Sequence, residues 1–166
     1  AVQAPTGILV NIEDAAHPGY VENVVFQDNS LTVTPGFSGS VGIATRENNH
    51  PDFRYNQLHY INNTIDGFVE GLLHIEGQGN TVPDLTGSVL FPGPSYIYYN
   101  HNKFQNNGNL IADVEGFGKT GDYVHVVDNE FVRYSGAQTA YSENIQGAGH
   151  NATIVKTPAN RVTDLF

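Results

Sequence analysis

The chain contains no cysteine, no methionine and no tryptophan in 166 residues. Without cysteine there can be no disulfide, no thiol nucleophile and no thiolate-bound metal, and the redox compartment is left open. No apolar run approaches the ~20 residues that a membrane-spanning helix needs. Charged residues are scarce and lopsided: Lys+Arg 7 against Asp+Glu 17, a net charge of -10. A surface so short of cations disfavours nucleic acid and anionic membranes, whose phosphates require basic contacts. It is compatible with cation binding or with neutral glycans. No signal-peptide pattern is visible either, and with no methionine at the start a processed or excised piece of a longer protein is expected.

Helical patterning is also missing. No segment sustains a 3.6-residue apolar period, and β-branched and aromatic residues dominate the apolar runs. What the chain has instead is repetition. An Asn followed two residues later by an apolar side chain recurs at Asn29, Asn63, Asn102, Asn129 and Asn160, with spacings of 34, 39, 27 and 31. A second segment ends in Glu at Glu13, Glu47, Glu76, Glu115 and Glu143, with spacings of 34, 29, 39 and 28. Two motifs sharing a unit of roughly 27 or 28 residues indicate a solenoid. Two insertions explain the longer intervals: residues 34–39, and 80–94, read as a long loop. Residues 1–166 are expected to form a single domain.

Alignment on the Asn yields columns. Five residues before it stand Val24, Leu58, Ile97, Val124 and Val155; three before, Phe26, Tyr60, Tyr99, Val126 and Thr157; two after, Leu31, Ile65, Phe104, Phe131 and Val162. Alternation along a strand turns these columns inward. The Asn then falls at a bend, where it is expected to tolerate left-handed dihedrals and to hydrogen-bond the amide of the neighbouring repeat. A periodic Asn flanked by inward aliphatic and aromatic columns resembles the right-handed parallel β-helix of the pectate-lyase-like superfamily. That superfamily includes polysaccharide lyases, glycoside hydrolases and phage tailspikes. The resemblance runs from Gly7 to Val162 and implies an all-β right-handed parallel β-helix of about five coils, whole or a segment of a longer helix. An antiparallel sandwich also alternates, but it would not predict columns of like residues.

The opposite parity faces solvent. Four residues before the Asn are Val25, His59, Tyr98, His125 and Lys156; six before are Asn23, Gln57, Tyr96, Tyr123 and Ile154. Tyr96, Tyr98, Tyr123, His59 and His125 are therefore expected on one sheet face, suited to sugars through ring stacking and hydrogen bonding. In the superfamily this sheet commonly carries the polysaccharide groove. The bland alternative is that tyrosine simply favours strands. A glycan-facing structural module of an extracellular spike, fibre or filament is the first functional expectation. A lyase or glycosidase is the second, with Tyr98, His125, His59 and Lys156 as catalytic candidates. Against it, a hydrolase needs a spaced carboxyl pair, and none is evident on this face. The third is a filament subunit stacking end to end through uncapped strand edges. Stacked glutamates would repel, and Glu76, Asp113 and Glu115 are candidate Ca²⁺ ligands that would relieve this; the alternative is that each Glu splays into water.

Overall fold

The computed structural model describes residues 6–12, 19–33, 40–47, 53–76, 95–108, 113–115, 123–138, 142–144 and 153–166. Its regular elements are all strands. The first repeat holds β1 (Thr6–Ile12), β2 (Gly19–Gln27) and β3 (Ser30–Thr32), and the second β4 (Val41–Glu47), β5 (Phe53–Ile61) and β6 (Thr64–Asp66). Next come β7 (Glu70–Glu76), β8 (Tyr96–Asn100) and β9 (Lys103–Gln105), then β10 (Asp113–Glu115), β11 (Tyr123–Val127) and β12 (Glu130–Arg133). The last are β13 (Ser142–Asn144), β14 (Thr153–Val155) and β15 (Arg161–Asp164).

Every third strand pairs, in parallel, into one of three five-stranded sheets: β1-β4-β7-β10-β13, β2-β5-β8-β11-β14 and β3-β6-β9-β12-β15. We call these the first, second and third sheets. The all-β expectation and its parallel pairing are met, and the arrangement is compatible with a β-solenoid. The expected inward columns form the core in the middle repeats. Leu58, Ile97 and Val124 are buried in register, as are Ile65, Phe104 and Phe131. Phe26, Tyr60 and Tyr99 stack at 5.3 and 4.9 Å, and Phe104 stacks on Phe131 at 5.2 Å. Each such ring contributes about 1.5–3 kcal/mol by burial. The tyrosine hydroxyls are satisfied inside: Tyr99 donates to Thr45 Oγ1 at 2.7 Å, and Tyr60 Oη lies 2.8 Å from the same atom. Burial pushes the Tyr60 hydroxyl far above its ordinary pKa, with the Thr45 hydrogen bond opposing.

The Asn ladder exists and is continuous. Asn63 Oδ1 accepts from both the backbone N–H and the side-chain amide of Asn29, at 3.0 and 2.9 Å. Asn102, Asn129 and Asn160 repeat this toward Asn63, Asn102 and Asn129. Each also donates Nδ2 to a carbonyl of the repeat before, as Asn102 does to Tyr60 at 2.8 Å. Asn63, Asn102 and Asn129 are each 1% exposed, so this pairing is what makes their burial tolerable.

Four details differ from the sequence expectation. The left-handed residue at the bend is the one before the Asn: Asp28, Asn62, His101 and Asp128 have φ of 58, 55, 59 and 51°. The Asn needs its side chain aimed along the stack, and the preceding short or ring side chain accommodates the positive φ. Second, β2 and β5 kink together at Asn23 and Gln57, whose φ values are 54 and 57°. The kink inverts parity, so that Tyr55 is buried as well as Leu58. Third, the last repeat is displaced by one residue. Val124 pairs with Ile154 and His125 with Val155, which removes Val155, Lys156 and Thr157 from their assigned columns. Fourth, the glutamates are not all in register: Glu47 pairs with Glu76, but Glu115 pairs with Ile75 and Glu143 with Val114. The side chains of Glu76, Asp113 and Glu115, and the whole of 80–94, lie outside the described residues, so the calcium and loop expectations fall there too.

Candidate functional site: the outer face of the second sheet

Strands β5, β8 and β11 place the expected residues together. Register sets His59 beside Tyr98, Tyr98 beside His125, and Tyr96 beside Tyr123. The rings stack face to face: His59 on Tyr98 at 4.3 Å and 4°, Tyr98 on His125 at 4.5 Å and 26°, Tyr96 on Tyr123 at 5.3 Å and 2°. Lys156 is not among them. It follows β14 at an exposed position, and the neighbour of His125 in that repeat is Val155.

This geometry corrects the chemistry expected of the face. Tyr98 is sandwiched between two imidazoles, so neither of its ring faces is open to a sugar. What these residues turn outward is a row of ring edges. His59 and Gln57 make one contact, 3.2 Å between Nε2 and Oε1, in which the imidazole N–H donates. Among the described residues no hydrogen bond engages the hydroxyls of Tyr96, Tyr98 and Tyr123 or the ring nitrogens of His125. Two residues beyond Tyr98, Asn100 Oδ1 is the one buried side-chain acceptor without a partner among the described residues. Its neighbours in register are Ile61 and Val127, which offer nothing to donate.

Both histidines are held below the ordinary imidazole value. Partial burial in the stack lowers His59. Burial also lowers His125, with repulsion from His59 adding to it. The row is therefore uncharged at neutral pH, with hydroxyls and imidazoles able to donate and accept at a spacing of about 4.8 Å.

The third sheet and its bend show the opposite condition, which the sequence columns did not disclose. Arg133 holds Asp164 with two bonds of 2.7 and 2.8 Å. Glu130 lies between Lys103 and Arg161 at 3.7 and 3.5 Å. His101 Nδ1 is 2.9 Å from Asp128 Oδ2, and Gln105 donates to Asp66 at 3.0 Å. Of these groups, Lys103, Glu130, Arg161, His101 and Asp128 border a groove of about 370 Å³. Its charges are already paired with one another across strands. Among the described residues no group of three His, Asp or Glu is placed to hold a metal. Sequence reasoning also missed Asn107, which repeats the ladder chemistry at the following bend, accepting from Phe68 N–H at 2.8 Å and donating to Ile65 O at 3.2 Å. It stands alone in its column, so no periodicity marks it.

Comparison with known proteins gives no matching family model, no similar curated protein and no similar solved structure.

Proposed function

We propose that this chain is a right-handed parallel β-helix of about five coils, of the pectate-lyase-like kind, acting as a glycan-facing structural module of an extracellular spike, fibre or filament. Its ligand is a neutral, hydroxyl-rich polysaccharide lying against the outer face of the second sheet. The observation that carries this reading is the row of polar ring edges, Tyr96, Tyr98, Tyr123 and His125, that no group among the described residues satisfies. Sugar hydroxyls both donate and accept, as such edges do, and the spacing along the stack repeats. Net charge of -10 and uncharged imidazoles favour a neutral glycan over an acidic one.

Calorimetric titration of soluble neutral and acidic polysaccharides tests it. Binding of a neutral glycan, weakened at least tenfold by Tyr98→Ala, is expected. Binding unchanged by both Tyr98→Ala and His125→Ala would reduce the face to a wall. Release of unsaturated or reducing sugar ends would replace the structural reading with the lyase or glycosidase.

A further inference from the structure

We propose that Asn100 sets the specificity of the second sheet's outer face, and that it selects a sugar bearing an acetamido group. The inference rests on the glycan reading above and narrows it to neutral polysaccharides that contain 2-acetamido sugars. Two observations meet at this position. Alternation along β8 puts Asn100 on the same face as Tyr96 and Tyr98, two residues or about 6–7 Å beyond Tyr98. It therefore stands beside the row of ring edges, within reach of a substituent on a sugar that engages the Tyr98 hydroxyl. Its Oδ1 is buried and accepts no hydrogen bond, alone in this among the buried side-chain polar atoms of the described residues. The buried asparagines of the ladder differ: Asn63, Asn102 and Asn129 each accept through Oδ1 and donate through Nδ2. An orphaned buried carbonyl costs stability, so a donor is missing at Asn100 and nowhere along the ladder.

The flanks say what kind of donor fits. In register Asn100 lies between Ile61 and Val127. Val127 is only 8% exposed although its place in the strand turns it outward, so the two aliphatic side chains close around the amide. A water molecule is a poor occupant, because it needs about two to four polar partners and these flanks offer none. A sugar hydroxyl carries a donor but would lose its own hydration against Ile61 and Val127. An acetamido group brings both things at once, an N–H for Oδ1 and a methyl for the aliphatic pair. The terminal torsion of an asparagine is broad, so Oδ1 turns outward to meet that N–H with no change of backbone. The group is also uncharged, in keeping with a chain of net charge -10.

The test uses matched oligosaccharides, in gluco and galacto series, that differ only by a 2-acetamido group in place of the 2-hydroxyl. In at least one series the acetamido member is expected to bind at least tenfold more tightly by calorimetry. Asn100→Val should erase that preference and leave the affinity for the hydroxyl member within twofold. Because the variant also removes the orphaned carbonyl, its urea unfolding midpoint should be no lower than that of the wild type, which a merely structural Asn100 would not allow. In the unsubstituted protein, the side-chain amide resonances of Asn100 should shift with the acetamido member and not with the hydroxyl member. Equal binding of both members in both series, or a preference that survives Asn100→Val, would overturn this inference and leave the glycan reading standing. Binding of no oligosaccharide or polysaccharide would overturn both.

Discussion

The second and third sheets share one repeat and one strand spacing, yet their outer faces are finished differently. On the third sheet, outward side chains pair across strands: Lys103, Glu130 and Arg161 in one column, Arg133 and Asp164 in the next. On the second, neutral rings cover each other's faces, and among the described residues the polar edges of Tyr96, Tyr98, Tyr123 and His125 have no partners, while His59 reaches Gln57. Paired charges hold neighbouring repeats in register and leave little for a ligand. Unengaged hydroxyls and imidazoles contribute little to the fold and remain available. The difference teaches where to look in a repeat protein: at the column whose hydrogen-bonding capacity the protein itself does not use.

Substitutions can break or sharpen that contrast. The largest effect should come from beneath both faces, at the ladder where the two sheets meet. Asn102→Ala strips the acceptor from two buried donors of Asn63 and the donor from Tyr60 O. A loss of about 3 kcal/mol or more in urea unfolding is expected, since each orphaned buried group costs about 1–3 kcal/mol. Thr45→Val should follow at about 2 kcal/mol, because two buried tyrosine hydroxyls share its Oγ1. On the second sheet, Tyr98→Ala should cost no more than about 1 kcal/mol of stability, the scale of cross-strand ring pairs, while abolishing most glycan affinity. On the third sheet, Lys103→Ala should change stability by less than about 1 kcal/mol and glycan binding not at all.

The smallest effect concerns pH. His59 and His125 titrate lower folded than unfolded, so the unfolded chain binds protons first as pH falls below about 6.5. Their contribution is fully present above that value and declines below it, and the decline should shrink in a His59→Gln, His125→Gln double variant. Asp164 is shifted the same way by its hydrogen bonds to Arg133. Its contribution is present above the ordinary carboxylate range and fades at lower pH. Chemical denaturation across pH separates the two windows.

The architecture was legible in the sequence because a parallel stack repeats its neighbours, so like residues recur in columns such as Leu31, Ile65, Phe104, Phe131 and Val162. The stack of His59, Tyr98 and His125 was legible for the same reason. What periodicity could not carry was local backbone geometry. The left-handed residue is Asp28 in one repeat, Asn62 in the next and His101 in the third, three types with no common pattern. The single-residue displacement of the last repeat is invisible to an alignment anchored on Asn160, and it is what removed Lys156 from the face. Nor does a column of rings reveal whether faces or edges point to solvent. That depends on how closely neighbouring strands bring them, about 4.8 Å, which favours stacking them on one another.

The most direct measurement is side-chain NMR of the folded chain during titration with a neutral polysaccharide. The account predicts shifts at the ring protons of Tyr96, Tyr98, Tyr123, His59 and His125, with His101 and its neighbours on the third sheet unmoved. Shifts centred on His101, or none at saturating glycan, would contradict it.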